Sequence, residues 1–202
     1  MNEQKTQAEP GTQLGVFRPQ LAIYHPNGKG TGGAAKMNLH PAHDDTEGCL
    51  MLSIANQSAV GGQAGGGQVG GVQQFARFDR ENAITVKLGF ADLCAMLQVF
   101  NGECESLGDG RGIYHRTARA LTKIVLRHLV DPRPCYSLEL YRTLTANGGE
   151  TRAHLLISSA EAEGLRAAIL GSMSVVCFGI PMLIPHDTSA YRAENSRRTA
   201  AA

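Results

Sequence analysis

Four short runs in the first half of the chain alternate apolar and polar residues: Leu21 and Ile23; Ala35, Met37 and Leu39; Leu50, Leu52 and Ile54; and Ile84, Val86 and Leu88. A strand turns successive side chains to opposite faces, so each run has one apolar side, and Gly, Pro, Asn or Asp bounds it. Four strands are expected. The period then changes to that of a helix over ADLCAMLQVFNGE, where Leu93, Met96, Leu97 and Phe100 form one stripe and Asn101-Gly102 is a stop signal.

The second half repeats the pattern. GIYHRT, ALTKIVLRHLV, CYSLELYRTL and RAHLLIS read as strands, and the last two are separated by the turn Ala146-Asn147-Gly148-Gly149. Ser158 or Ser159 can cap a second helix with Glu161 and Glu163 in its first turn and Leu165, Ala168, Ile169 and Val176 as its apolar stripe. The order ββββα, repeated twice, predicts an α+β fold of two antiparallel four-stranded sheets. Each sheet then has one face covered and one free.

Both ends lack such a pattern. Residues 1–17 and 186–202 are expected to be flexible tails around one domain spanning 18–185. Within it, GGQAGGGQVGG at 61–71 would lose much entropy if fixed and reads as a flexible loop. A phosphate-cradling glycine loop would need a following GK[ST] and a strand-to-helix setting, and neither is there.

With 43% hydrophobic and 18% charged residues, the chain suits a globular protein, and no apolar run approaches the roughly 20 residues of a membrane span. The polar start MNEQKTQAEPGTQ is unlike a secretory signal, so the cytoplasm is the expected location and no membrane partner is expected. Five cysteines without a CxxC pair read as reduced, packed thiols. The nearest approach to a metal cluster, His40 and His43 with Asp44, reads as a turn. Neither a nucleophile motif nor an embedded carboxylate pair is visible, which favours a non-enzymatic protein without a cofactor or metal.

A net charge of +1 argues against a duplex-DNA binder with a strong basic excess, but distribution matters more than the total. The positions opposite the apolar ones are Tyr24, Lys36, Asn38, His40, Ser53, Thr85, Lys87, Lys123, Arg127 and Tyr141. Cations, amides, hydroxyls and rings on one face are what holds a single strand: cations neutralise phosphates and rings stack bases. QQFARFDREN adds Phe75, Arg77, Phe78 and Arg80 in an aromatic-basic interleave. Lys29 lies in a glycine-rich turn whose backbone amides could meet a phosphate, although a plain hairpin loop explains it equally well. The expected phosphate and base contacts are thus Tyr24, Lys29, Lys36, Asn38, Phe75, Arg77, Phe78, Lys87, Lys123, Arg127 and Tyr141.

Element order and local motifs resemble the Whirly family of single-stranded DNA-binding proteins, relatives in fold of the kinetoplastid guide-RNA-binding proteins and the transcriptional coactivator positive cofactor four. The family's KGKAAL signature is similar to Lys29 through Lys36, with residues inserted, and its third strand to Gly48 through Ala55. Phe75 through Arg80, Ile84 through Phe100 and Thr151 through Phe178 resemble the later segments, although tryptophan is absent. The resemblance implies two roughly perpendicular sheets, a homotetramer joined through helices and sheet edges, and single-stranded DNA held across the sheets with little sequence preference. Such a protein would protect or present single strands in replication, recombination, repair or transfer. RNA binding by the same fold, or an oligomeric interaction scaffold, are the alternatives.

Overall fold

Leu52, Ile54, Ile84 and Leu88 are buried on one side of a first sheet, and Ile124, Leu126, Leu140, Leu155 and Ile157 on one side of a second, all within one core. Burying each such side chain contributes about 1.5–3 kcal/mol, and these two apolar sides are what the alternation in the sequence encodes. The structure is a computed structural model that describes residues 20–42, 46–60, 62–63, 73–130 and 135–179. The two expected tails, His43 and Asp44, and most of the glycine-rich stretch lie outside the described residues.

Sheet one contains β1 (Gln20–His25), β2 (Gly33–His40) and β3 (Cys49–Ala59) in order. After a two-stranded ribbon of β4 (Gly62–Gln63) and β5 (Gln73–Gln74), the short β6 (Arg77–Phe78) and then β7 (Ile84–Leu88) both pair with β3. Sheet one therefore has five strands, one more than the alternation counts. The eleven-residue β3 outruns β7, which covers Leu50 to Ile54, and β6 takes up the overhang at Gln57 and Ala59 across a register shift. A two-residue strand leaves no period to read. The ends of the glycine-rich stretch are tied together by the β4–β5 ribbon.

Sheet two is β8 (Ile113–Arg116), β9 (Ala120–Leu129), β10 (Cys135–Leu144) and β11 (Glu150–Ser158), in the antiparallel order β11-β10-β9-β8. Helix α1 (Phe90–Phe100) follows β7, and α2 (Ser159–Phe178) follows β11. In α1 the backbone N–H of Gly89 donates to Asp92 Oδ2 at 2.9 Å, and Gly102, at φ +74°, ends the helix. Ser158, not Ser159, caps α2: Glu161 N donates to Ser158 Oγ at 3.3 Å while Ser158 N donates to Glu161 Oε2 at 2.9 Å. The buried stripe of α2 is Ala162, Leu165, Ile169, Ser172 and Val176, which corrects the expected Ala168; that residue is exposed because the helix turns its 165–169–172–176 line to the sheets.

The sheets meet where β11 passes β2 and β3. A Cβ on Gly33 would lie 2.2 Å from the carbonyl oxygen of His154, so only glycine permits this approach. Asn56 of β3 completes the joint by donating to the carbonyl of Arg152 at 2.7 Å and accepting from the N–H of His154 at 3.2 Å.

Each helix is also tied to the half of the chain that it does not follow. His25, ending β1, bonds Glu161 of α2 through Nε2 at 2.6 Å, and His115 of β8 bonds Asp92 of α1 through Nε2 at 3.1 Å. Partly exposed pairs of this kind contribute at most about 1 kcal/mol, so burial holds the helices on the sheets and the pairs fix their starting points.

Candidate nucleic-acid interface

The outward side of sheet one carries two cross-strand rows. Ala22, Lys36, Ser53 and Thr85 stand in register, and Ser53 Oγ and Thr85 Oγ1 are hydrogen-bonded at 2.7 Å. Gln20, Asn38, Met51 and Lys87 form the neighbouring row. Beyond the first row, Tyr24 and Phe78 approach with ring centroids 5.7 Å apart, and with Lys36, Arg80 and Ala55 they line a groove of about 350 Å³. Tyr24 is 54% exposed although its partner Ala34 is buried, because β1 is the edge strand. Lys36 and Lys87 are exposed and form no ion pair with any described residue.

Sheet two is organised differently. Tyr114, Lys123, Tyr141 and Arg152 stand directly opposite one another on β8, β9, β10 and β11, one row of alternating rings and cations across the whole sheet. Lys123 Nζ lies 5.5 Å from the centroid of the Tyr114 ring, and the Arg152 guanidinium carbon lies 5.4 Å from that of Tyr141. Tyr114, Lys123 and Tyr141, with Val125 and Arg127, line a second groove of about 370 Å³.

Glu139 stands two residues before Tyr141 on the same face. Its Oε2 accepts from Tyr141 Oη and, at 2.9 Å, from Arg152 Nη2, and its Oε1 accepts from Ser137 Oγ at 3.1 Å. Burial alone would raise this carboxyl; the hydrogen bonds from Tyr141 and Ser137 and the Arg152 charge outweigh it and hold the group below the usual range. The same bond from Tyr141 to Glu139, helped by burial, pushes the phenol up.

The structure thus brings Tyr24, Lys36 and Phe78 together in one groove and Lys123, Arg127 and Tyr141 in the other, with Asn38 and Lys87 on the row beside the first. Phe75, 78% exposed, and Arg77, paired with Ala59, line neither groove. Lys29 stands off the sheets in the β1–β2 turn, and the amides expected to meet a phosphate there are engaged: Lys29 N and Thr31 N each donate to Asn27 Oδ1 at 3.0 Å. Buried Gln57 fixes that turn by accepting from Asn27 N and Gly32 N. The plain hairpin reading of the turn fits these bonds, and the Lys29 side chain is exposed.

Two members of the row were not among the expected residues. Tyr114 alternates with Ile113 and Arg152 with Ala153, so each could have been placed on the outward face; their alignment with Lys123 and Tyr141 depends on register. Among the described residues no group of three or more His, Cys, Asp and Glu could hold a metal, and no helix is long and apolar enough to cross a membrane. Cys49 is packed in the core, where burial raises its thiol against the lowering charge of Lys87, whereas Cys177 is exposed on α2, contrary to the packing expected of it.

Solved structures share this architecture. WHY1 from Arabidopsis thaliana superposes with a TM-score of 0.60 at 13% identity, over 92% of this chain and 93% of that one. The chain has the Whirly fold. WHY3 from Arabidopsis thaliana gives a TM-score of 0.60 at 16% identity over 92% of this chain and 97% of that one. The plant transcriptional regulator PBF-2 gives 0.58 at 15% over 89% and 87%. No protein-family model matches the sequence, and none of the curated proteins does. At such identities the shared fold is accompanied by few residues in common.

Proposed function

We propose that the chain binds single-stranded DNA without catalysis and with little overall sequence preference, and so protects or presents single strands in replication, recombination, repair or transfer. The observation that carries this reading is the in-register row Tyr114–Lys123–Tyr141–Arg152, facing outward beside a groove. Rings stack bases of any identity and cations neutralise phosphates, and a row of both across four strands offers successive sites to an extended strand. The exposed Lys36 and Lys87 of sheet one and Arg80 in the turn between β6 and β7 supply further charge, and Tyr24 with Phe78 further stacking surface.

The reading includes a homo-oligomer, a tetramer by the family resemblance. From Ala167 to Phe178, α2 carries no charged residue, and Leu170 and Phe178 are 50% and 85% exposed. A helix that leaves such a face uncovered gains by burying it against copies of itself.

Fluorescence anisotropy with labelled oligo-dT across a salt series tests the binding. Micromolar or tighter affinity that falls with salt is expected, and no binding at low salt would end the proposal. Competition by matched RNA separates DNA from RNA. Native mass with and without a strand of about 30 nucleotides reports the oligomer together with binding; a defined oligomer that ignores nucleic acid favours a scaffold instead.

A further inference from the structure

Glu139 is a carboxylate on the outward face of sheet two, two residues from Tyr141 and opposite the strand that carries Arg152. The neighbouring groove is lined by rings, cations, a second carboxylate at Glu150 and the smaller Leu121, Val125 and Thr143. Val125 and His154 flank it in register, Tyr141 and Ser137 lie two residues away on its own strand, and Arg152 is bonded to it. Its side chain is 13% exposed, against 57% for Arg152. A carboxylate offers about four lone-pair positions and no proton. Among the described residues three are filled, two on Oε2 by Tyr141 and Arg152 and one on Oε1 by Ser137, so Oε1 keeps acceptor capacity in a side chain that is partly exposed.

We propose that Glu139 is a specificity-determining residue, accepting a hydrogen bond at Oε1 from the exocyclic amino group of a base stacked on Tyr141 or Arg152. The inference rests on the single-strand reading above and deepens it. A strand places residues two apart about 6.5 Å from each other, so a base lying on the Tyr141–Arg152 pair brings its edge to Glu139. Guanidinium planes, like rings, serve as stacking surfaces. Cytosine offers an amino donor on its pairing edge; uracil and thymine present a carbonyl oxygen at the same position, which would face the carboxylate lone pair against lone pair. Phosphate is repelled by the same charge, so the strand runs here with bases inward and backbone toward Lys123 and Arg127. The hydrogen bonds that hold Glu139 ionised also hold it still, leaving Oε1 in one orientation.

Oligo-dC and oligo-dU of equal length test this, since the two bases differ only in the amino group and its replacement by a carbonyl with the attendant ring proton. The full chain is expected to bind oligo-dC about fivefold more tightly than oligo-dU at neutral pH, the worth of one net hydrogen bond. E139Q keeps the size of the side chain and, by turning its amide, can donate to uracil, so the dC:dU ratio falls toward one or inverts. A general rise in affinity from the lost negative charge does not alter that ratio. Equal affinities for the two oligomers in the unaltered protein, or an unchanged ratio in a folded E139Q, overturn the assignment of Glu139. Failure of the unaltered protein to bind either oligomer overturns the single-strand reading itself. If E139Q does not fold, the ratio measured on the unaltered protein decides.

Discussion

The outward faces of the two sheets hold grooves of about 350 and 370 Å³ and differ in how their side chains are engaged. On sheet one the exposed Lys36 and Lys87 have no charged partner among the described residues, and Tyr24 and Phe78 meet each other at one end of the groove. On sheet two Lys123 lies over Tyr114 and Arg152 lies between Tyr141 and Glu139, while the exposed Arg127 has no charged partner among the described residues. A cation without a carboxylate partner gives its whole charge to an arriving phosphate, whereas one paired with a carboxylate, as Arg152 is with Glu139, gives part of it and gains position. On the proposed single-strand reading, the same strand topology would supply general affinity on one face and discrimination on the other, depending on whether a cation is left unpaired or is fixed by a neighbouring carboxylate.

The largest effect should come from breaking what joins the two faces. Val at Gly33 would drive a side chain into the His154 carbonyl, and G33V should lower unfolding free energy by more than about 2 kcal/mol in urea titrations, with binding at both sheets declining together. Retained stability would mean that the sheets tolerate separation. Next, Y24A/F78A removes both rings of sheet one and should weaken oligo-dT binding by about ten- to a hundredfold at unchanged thermal midpoint. A drop in midpoint without loss of binding would make the pair core instead.

A smaller effect separates the faces by salt. K36A/K87A should reduce the slope of log affinity against log salt by about 1.4, the contribution of two phosphate contacts on a single strand. R152A should change that slope by less than half as much, because Arg152 is already paired with the Glu139 carboxylate. Equal slope changes per cation would erase the distinction between the sheets.

The smallest concerns acid. Glu139 and Glu161 both titrate below the ordinary 4.5; for each, burial pushes upward and is outweighed, by Tyr141, Ser137 and Arg152 in one case and by Ser158 and His25 in the other. A carboxyl with a lowered folded-state pKa contributes stability that is present above 4.5 and lost as pH falls through the folded value. Thermal midpoints should thus fall on acidification below 4.5, and E161Q should flatten that decline while E139Q does so independently.

Much of the fold was legible because its signals are local. Period two marks which side of each strand is buried, as Leu50, Leu52 and Ile54 show, and Ser158 with Glu161 marks the start of α2 within the sequence SxxE. β6 was not, since two residues carry no period, and its place is set by the unpaired end of β3. Ala168 lies off the buried line of α2, and because alanine fits either face of a helix the period alone does not place it. For the interface, outwardness was legible at Lys123 and Tyr141, but alignment was not: Tyr114 and Arg152 join them through strand registers set by turns and core packing over some forty residues of chain. Lys29 shows the converse, a promising local sequence whose amides Asn27 had already claimed.

The exchanged histidine bonds, His25 to α2 and His115 to α1, bear on how the molecule can be taken apart. A chain of two similar halves invites cutting between them, at the Gly108–Gly110 turn, to yield two miniature proteins. Each piece would hold a helix whose first turn is completed by a histidine on the other piece, and an apolar sheet side whose cover lies there too. The halves are reciprocal templates: separately expressed they should remain unfolded, and mixed they should assemble into one native molecule, so that repetition in the sequence has produced dependence instead of redundancy.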